Sequence, residues 1–234
     1  MTAIFWAATP SDPVHESRTL NCMRIETLAV HAGRSIDRSS GDVTPPIHLS
    51  TTFERSENGD YPLGFSYSRE DNPNRRMLEQ CLAALEGGKE ALVISSGLAV
   101  LTAVLQGLQP DHILAPEDVY YGLRQVLRSV FAKWPLEVTY VDMTDLHAVR
   151  SAVRPATRLV WAETPSNPLL KISDLAGIAE IARKANAISI CDGTFTTPVV
   201  QRPFQYNIDM VMHSTTKIPG GPQRRGGRRA HHAV

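Results

Sequence analysis

Two charged residues in the last quarter of the chain could do chemistry together. Lys217 follows the largely apolar run 209–212, and Asp192 directly follows the apolar run 187–191. Each therefore comes shortly after a predicted strand, and in an open α/β sheet ligands bind at the carboxyl ends of strands. A lysine amine can form a Schiff base and a carboxylate can keep a pyridinium nitrogen protonated, so the pair is typical of a pyridoxal phosphate site. Taken singly, each residue is equally compatible with a structural role, as a surface lysine or as an aspartate that caps a helix.

A third segment could bind the phosphate of such a cofactor. Residues 91–105 form a short apolar run, a turn of two serines and Gly97, and a strongly apolar helical pattern. Glycine lets the backbone approach a ligand closely, and the free amides of a helix N-terminus attract a phosphate. Ser214 and Thr216, beside the lysine, could add hydroxyl donors. A turn of small residues before a helix is common, so this segment indicates a phosphate site only together with the lysine and the aspartate.

Alternating strands and helices must position these groups. The candidate strands are 91–95, 112–115, 136–142, 158–163, 187–192 and 209–213. Helical spacing of apolar residues lies between them, as in 78–85, which Gly87 and Gly88 end, in 123–134, and in the helix that opens at Ser173. This alternation predicts an α/β fold with a mostly parallel sheet covered by helices on both faces.

Composition limits the classes of function. The 234 residues are 42% hydrophobic, enough for one sizeable core. With 24 basic and 24 acidic residues, the chain has no net charge that would favour nucleic acid or an acidic membrane. Cys22, Cys81 and Cys191 lack paired spacing, which argues against a disulfide framework or a metal site. No apolar run approaches the roughly 20 residues that span a bilayer, and the opening residues lack the basic start of a signal peptide. We therefore expect a cytoplasmic enzyme without nucleic-acid or membrane partners.

Seven colinear segments resemble the Cys/Met-metabolism family of pyridoxal-phosphate enzymes, the transsulfuration group that includes cystathionine γ-synthase, γ-lyase and β-lyase. The segments are 44–53, 67–75, 95–97, 118–122, 163–168, 192–198 and 214–217. The resemblance implies a fold-type I (aspartate-aminotransferase-like) large domain, pyridoxal 5'-phosphate as the cofactor, and a homodimer or homotetramer. It also implies elimination or replacement chemistry on cystathionine, or on acyl-homoserine with a thiol. Whether synthase or lyase, and whether γ or β chemistry, stays open.

The resemblance implies roles for the residues around the cofactor ring. Lys217 would be the Schiff-base lysine and would move protons during catalysis. Asp192 would pair with the pyridine nitrogen, Tyr120 would stack on the ring as a second catalytic residue, and Asn167 would hydrogen-bond the ring hydroxyl. Without the resemblance, Tyr120 is compatible with a half-buried interface aromatic and Asn167 with a turn residue before proline.

Other matching residues would bind the phosphate. Ser96, with the amides of Gly97 and Leu98, would hold it from the helix N-terminus, together with the hydroxyls of Ser214 and Thr216. Tyr67 and Arg69 would reach the phosphate in the neighbouring subunit, Arg69 through its planar bidentate fork.

Several positions depart from the family pattern. Leu98 replaces a common methionine, and Ile218-Pro219 replace an aromatic-led stretch after the lysine. Tyr121 stands where the family usually has glycine, Leu123 where it has threonine, and Gly193 where it has asparagine. These departures affect how the cofactor and substrate are positioned and leave the identity of the cofactor unchanged.

The chain divides into four segments by this resemblance. Residues 1–22 are expected to be a disordered extension, unless translation begins at Met23. Residues 23–60 are predicted to form an N-terminal arm, and residues 61–221 an incomplete pyridoxal-phosphate-binding domain. Residues 222–234 are a basic tail that differs from the family continuation.

The basic tail has two interpretations. Codons compatible with it, read one base further on, decode as His-Ser-Asp-Val-Val-Gly-Gly-Ala, the family continuation, which predicts a single-base frameshift near codon 222. The lost C-terminal domain would carry the arginine that binds the substrate carboxylate and would complete the sheet, so we expect an inactive and poorly soluble chain. The alternative is a non-catalytic product, either a truncated pseudo-enzyme or a protein that binds RNA through its arginines.

Overall fold

The computed structural model describes residues 2–6, 23–215 and 217. Its strands are β1 (Thr2–Trp6), β2 (Glu90–Ile94), β3 (His112–Pro116), β4 (Glu137–Val141), β5 (Thr157–Glu163), β6 (Ile188–Asp192) and β7 (Met210–His213). Its α-helices are α1 (Ile25–His31), α2 (Pro73–Glu86), α3 (Gly97–Leu108), α4 (Tyr121–Ser129), α5 (Leu146–Ala152), α6 (Leu175–Lys184) and α7 (Thr197–Val200). Two short 3₁₀ helices cover Phe131–Lys133 and Pro203–Tyr206.

The strands form one seven-stranded sheet in the order β2-β1-β7-β6-β5-β3-β4. β3 pairs in parallel with β4 and β5, β5 with β6, and β6 with β7. β1 is antiparallel to both of its neighbours, β2 and β7, so β2 and β7 run in the same direction. The predicted mostly parallel sheet is therefore confirmed, and the six predicted strands correspond to β2–β7 within one residue at each end.

The start of the chain differs from the expected disordered extension. Thr2–Trp6 form β1, which pairs with β2 on one side and with β7 on the other. The sequence Thr-Ala-Ile-Phe-Trp consists largely of residues that favour strands. The edges of β2 and β7 offer it backbone donors and acceptors that need partners. We expected a C-terminal domain to complete this part of the sheet, and instead β1 lies there, between β2 and β7. Residue 1 and residues 7–22 lie outside the described residues.

Helices cover both faces of the sheet, as predicted. Neighbouring residues of a strand point to opposite faces, and β6 shows this directly. Ile190 packs with Leu101, Leu105 and other residues of α3 and α4, whereas Cys191 packs with Leu82 and Ile178 of α2 and α6. All of these side chains are buried, so the chain has one apolar layer on each side of a central sheet.

The ends of α2 follow from its sequence. The side chain of Asn72 accepts a hydrogen bond from the amide of Arg75 at 3.0 Å, and Pro73 occupies the first helical position. Gly87 ends the helix with φ of 73°, in the left-handed region that glycine adopts without strain. This matches the predicted stop at the two glycines and places Glu86 at the carboxyl end of the helix.

The segment between α1 and α2 has few regular elements. In the described part of this segment, Thr52 and Tyr67 form an isolated antiparallel β-bridge. Several apolar side chains of the segment are exposed, among them Val43, Ile47 and Leu49. Within the part of the chain that is described, no helix combines the length and the hydropathy needed to cross a bilayer.

Candidate active site

A cavity of about 340 Å³ opens at the carboxyl ends of the strands. Ser95 and Ser96 enter its lining after β2, and Ser214 after β7. Glu163 and Asp192, the last residues of β5 and β6, also line it. This is the edge of the sheet at which an α/β fold is expected to bind a ligand.

The first turn of α3 lies at one side of the cavity. Ser96 is the N-cap, and its Oγ accepts a hydrogen bond from the amide of Ala99 at 3.2 Å. The amides of Gly97 and Leu98 belong to the turn that has no acceptors within its own helix. A Cβ atom on Gly97 would lie 4.0 Å from the Cβ of Ser214, so this turn is next to the segment that carries the lysine. The turn therefore has the free amides and the neighbouring hydroxyl that a phosphate site requires, and phosphate binding by these residues stays a prediction.

Lys217 reaches the cavity through a turn after β7. Its amide donates to the carbonyl of Ser214 at 3.0 Å. The amide of Ser214 in turn donates to Oγ1 of Thr194 at 2.8 Å, which ties the turn to the segment that follows β6. Lys217 is exposed but contributes to the cavity lining. Thr216, predicted to bind phosphate, lies outside the described residues.

Asp192 and Glu163 are paired across β6 and β5 and face the same cavity. Asp192 is buried, and its Oδ1 accepts a hydrogen bond from the amide of Thr194 at 3.0 Å. Burial raises the pKa of Asp192. The hydrogen bonds from Thr194 and the charge of His213 lower it, but burial has the larger effect. A buried carboxyl group in this state favours a ligand with a positively charged hydrogen-bond donor, and the protonated nitrogen of a pyridine ring is such a donor.

Glu163 is a site residue that the sequence interpretation missed. Its Oε2 accepts a hydrogen bond from the amide of Tyr120 at 2.9 Å. Burial, and then the charge of Asp192, raise the pKa of Glu163 to about 8, although hydrogen bonds from the amides of Tyr120 and Asn167 lower it. The available signal was its place at the end of a predicted strand, the same signal that identified Asp192.

Tyr120 sits at the cavity where α4 begins. A Cβ atom on Gly122 would lie 2.5 Å from Cε1 of Tyr120, so the absence of a side chain at residue 122 lets the tyrosine ring fold against the first turn of α4. The ring is partly exposed, with 46% of the residue accessible, and so presents a flat face to a ligand. Of the departures from the family pattern, Leu123 is buried and lines the cavity, whereas Tyr121 is 71% exposed.

The loop after β5 presents Asn167 to the cavity. Its neighbour Ser166 anchors the loop: the hydroxyl donates to Asp118, and the amide donates to the carbonyl of Lys171 at 3.0 Å. Ser166 Oγ also accepts from the amide of Lys171 at 3.0 Å. The position of Asn167 is therefore set by buried polar contacts of the loop around it.

Tyr67 and Arg69 do not line this cavity. They precede α2, where the guanidinium carbon of Arg69 lies 4.1 Å from the centre of the Tyr67 ring. Their predicted role at the site of a neighbouring subunit stays a prediction. Eight of the predicted residues do line the cavity, namely Ser96, Gly97, Leu98, Tyr120, Asn167, Asp192, Ser214 and Lys217.

A mostly parallel α/β sheet with a lysine and an aspartate at its carboxyl edge defines the fold-type I class of pyridoxal-phosphate enzymes. Residues 26–225 match the family described as Cys/Met metabolism PLP-dependent enzyme. The chain belongs to this family, whose cofactor is pyridoxal phosphate.

Similar proteins include both synthases and lyases. The chain is 44% identical over 196 residues to the probable cystathionine gamma-synthase of Herpetosiphon aurantiacus. The aligned residues are 83% of this chain and 61% of that protein. It is 42% identical over 199 residues to the cystathionine beta-lyase of Coxiella burnetii, covering 84% of this chain and 51% of that protein. The crystal structure of metB from Corynebacterium glutamicum superimposes with a TM-score of 0.84 at 36% identity, over 86% of this chain and 53% of that one. The chain thus spans little more than half the length of these relatives.

Proposed function

We propose that this chain binds pyridoxal 5'-phosphate in the cavity at the carboxyl edge of the sheet. The observation that carries the proposal is the convergence of three features at one cavity: the amine of Lys217, the buried carboxyl group of Asp192 and the first turn of α3. The three come from distant parts of the sequence. Each meets a different demand of this cofactor, whose carbonyl, ring nitrogen and phosphate need a nucleophilic amine, a carboxylate and hydrogen-bond donors.

The remaining lining residues complete the proposed contacts. The amides of Gly97 and Leu98 and the hydroxyls of Ser96 and Ser214 bind the phosphate. Tyr120 stacks on the ring and Asn167 hydrogen-bonds the ring hydroxyl. The hydrogen bonds of Glu163 to the amides of Tyr120 and Asn167 hold both residues at the cavity.

Each polar group then has a defined part in the chemistry. Bound pyridoxal phosphate supplies an electron sink for the carbanion that forms beside a substrate amine. With the cofactor bound, the amine of Lys217 would take protons from the substrate carbons and return them. The Asp192 carboxylate keeps the ring nitrogen protonated, and Tyr120 holds the ring plane in place.

The proposed reaction class for the whole protein is transsulfuration. Relatives named as cystathionine gamma-synthase and cystathionine beta-lyase support elimination or replacement on cystathionine, or on acyl-homoserine with a thiol. Because the 234 residues span about half of such relatives, we expect this chain alone to bind cofactor without turnover. An assay of the purified chain with both kinds of substrate tests this expectation. Turnover at about 1 per second or faster, the range of ordinary enzymes, would contradict it.

Covalent attachment tests the cofactor proposal directly. The chain is incubated with pyridoxal phosphate, reduced with borohydride and digested, and the adduct is located by mass spectrometry. We expect one main adduct, on Lys217, and its complete loss in Lys217→Ala. Lys184→Ala, which removes an exposed lysine paired with Glu180, is the matched control and should leave the adduct unchanged. An adduct spread over many surface lysines would overturn the proposal.

A homodimer is proposed as the smallest complete unit. Its support is that Tyr67 and Arg69, predicted to bind phosphate, lie away from the cavity of their own chain. Arg69→Ala chains are mixed with Lys217→Ala chains and treated with cofactor and borohydride. The cofactor concentration is chosen so low that Lys217 is not labelled in dimers of Arg69→Ala chains alone. Labelling of the Arg69→Ala chain should recover, since its partner supplies an intact Arg69. No recovery in confirmed mixed dimers would show that the site is built within one chain.

A further inference from the structure

A buried acid–imidazole pair lies close to the candidate site but outside the set of residues assigned to it. His213, the last residue of β7, is hydrogen-bonded through Nε2 to Oε1 of Glu86, the last residue of α2. Both side chains are completely inaccessible to solvent. A carboxyl group removed from water is costly unless it is paired, and the histidine is the group placed to balance it.

The pair lies behind the cavity, on the other face of the sheet. Asp192 is paired in register with Met212, and both line the cavity on the face covered by α3. His213 follows Met212, and successive strand residues point to opposite faces. It therefore points away from the cavity, towards Glu86 of α2. One layer of backbone separates the imidazole from Asp192.

Gly193 brings the imidazole close to that backbone. A Cβ atom on Gly193 would lie 2.9 Å from Cε1 of His213 and 3.6 Å from both ring nitrogens. Real Cβ atoms essentially never lie within 3.0 Å of another heavy atom, so a side chain at residue 193 would require the ring or the backbone to shift. Gly193 is also a position at which this sequence departs from the asparagine usual in the resembling family. In this chain, the ring therefore occupies space that a side chain at residue 193 would otherwise need.

We propose that Glu86 holds His213 as an imidazolium behind Asp192, and that this positive charge keeps the Asp192 carboxyl group ionised. His213 and Glu86 are then positioning residues, because neither touches the cavity. The effect on Asp192 concerns the chain without cofactor. Its consequence for catalysis, a protonated ring nitrogen, rests on the proposed function.

The charges around Asp192 make such a contribution necessary. Burial raises the pKa of Asp192, while the Thr194 hydrogen bonds and the charge of His213 lower it. On the cavity side, the carboxyl group of Glu163 on β5 adds negative charge when ionised. On the far side the carboxylate of Glu86 is hydrogen-bonded to the imidazole, and the adjacent Cys191 thiol stays neutral because burial raises its pKa. The amine of Lys217 belongs to the same cavity but to an exposed residue, whereas His213 is a buried group whose positive charge would lower the pKa of Asp192.

The test follows Asp192 in the cofactor-free 234-residue chain, so that it is independent of cofactor binding. The carboxyl carbon of Asp192 is titrated by ¹³C NMR in the unmodified chain, in His213→Asn and in Glu86→Gln. Both variants keep a buried hydrogen-bonding group, and Glu86→Gln removes only the charge that holds the imidazolium. We expect the midpoint of the Asp192 titration to rise by roughly 1 pH unit or more in both, in line with the effect of a nearby opposite charge.

A second buried histidine is the matched control. His112 is hydrogen-bonded to Thr157 and Thr139 at the opposite ends of the strands, so His112→Asn should leave the Asp192 titration unchanged. An unchanged midpoint in folded His213→Asn and Glu86→Gln would overturn the proposal. If neither variant folds, ¹⁵N NMR of the unmodified chain decides: an imidazolium at His213 at pH 7 supports the proposal, and a neutral ring overturns it.

A measurement with cofactor separates this inference from the proposed function. Ring-labelled ¹⁵N pyridoxal phosphate added to the chain reports whether its nitrogen is protonated. A protonated nitrogen in the unmodified chain, with a lower protonated fraction in His213→Asn, supports both. Absence of binding with a shifted Asp192 titration would overturn the cofactor proposal and leave the His213 inference standing.

Discussion

The two ends of the parallel strands treat buried polar groups differently. At the amino ends, neighbours satisfy one another. His112 is hydrogen-bonded through Nδ1 to Thr157 at 2.8 Å and through Nε2 to Thr139 at 2.9 Å. The buried Ser189 is satisfied by the exposed Asp209, whose carboxylate accepts hydrogen bonds from the Ser189 amide at 2.8 Å and from its hydroxyl at 2.7 Å. These contacts join adjacent strands, and none of these residues lines the cavity at the carboxyl ends.

At the carboxyl ends, two acidic groups share a buried position instead. Glu163 and Asp192 are neighbours across the sheet, and burial raises the pKa of both. Burial destabilises their charged forms, and a nearby positive charge, such as that proposed for His213 or that of a cationic ligand, would stabilise them. The same sheet thus has mutually satisfied polar groups at one end and, at the other, a carboxyl pair with perturbed pKa values of the kind that cluster at functional sites. This contrast is what the proposed cofactor site requires.

Replacing one aspartate at each end should separate binding from cohesion. Asp192→Asn keeps the hydrogen bond from the Thr194 amide but removes the charge opposite the ring nitrogen. Losing one partner of a buried charged pair costs about 2–5 kcal/mol, so cofactor affinity should fall by roughly 30-fold or more. Asp209→Asn, at the other end, should leave affinity unchanged. Fluorescence titration with pyridoxal phosphate measures both, and equal losses in the two variants would refute the contrast.

Much of the binding end could be predicted because it rests on local patterns. Asp192 ends an apolar strand, and Gly97 marks the turn before an apolar helix; both signals lie within a few residues. The features that were missed depend on contacts between distant segments. The hydrogen bond from the Tyr120 amide to Glu163 and the pairing of Glu86 with His213 are fixed only when the strands and helices pack.

The fold shows the same limit. Strands β2–β7 were predicted to within one residue because alternating apolar runs and turns define them. The position of β1 could not be predicted, since a strand's partners depend on which edges the rest of the sheet leaves open. The short helices α1, α5 and α7 carry too few residues for a clear apolar period.

Glu163 should make the cofactor-free chain less stable as pH rises. Its pKa is about 8 in the folded chain and 4.5 in its ordinary state, so between these values the folded state holds a proton that the unfolded state has released. The free energy of unfolding should therefore fall with pH from about 5 to about 8, by up to roughly 1.4 kcal/mol per pH unit from this group.

The variant Glu163→Gln isolates that contribution. Glutamine does not titrate, and its carbonyl can still accept the Tyr120 amide. The variant should show a flatter dependence of stability on pH, and any slope that remains includes the raised pKa of Asp192. Urea denaturation at pH 5, 6, 7 and 8 measures the slopes. If the free energy of unfolding depends on pH equally in the variant and in the unmodified chain, Glu163 has an ordinary pKa. The carboxyl ends of the strands would then lack the destabilised carboxylate that favours a cationic ligand.

At the amino ends, Thr157→Val should lower stability without affecting cofactor binding. Valine has the shape of threonine but lacks its hydroxyl group. The amide of Arg154, which donates to Thr157 Oγ1 at 2.8 Å, would lose its acceptor. Nδ1 of His112 would lose its hydrogen bond to the same oxygen. Unsatisfied buried groups cost about 1–3 kcal/mol. Urea denaturation should show a loss of that order, with Thr144→Val as the exposed control. A weaker cofactor affinity in Thr157→Val would mean that the two ends are coupled.

The smallest effect is expected from the exposed charges at the same end. Arg154 and Glu137 form an ion pair whose side chains are 50% and 71% exposed. Such pairs contribute about 0–1 kcal/mol because water and salt screen them, so Glu137→Gln should change the free energy of unfolding by less than about 0.5 kcal/mol. The difference should vanish in 1 M salt, where charges are screened over about 3 Å. A loss as large as that of Thr157→Val, persisting in high salt, would show that surface charge rather than buried hydrogen bonding holds the amino ends together.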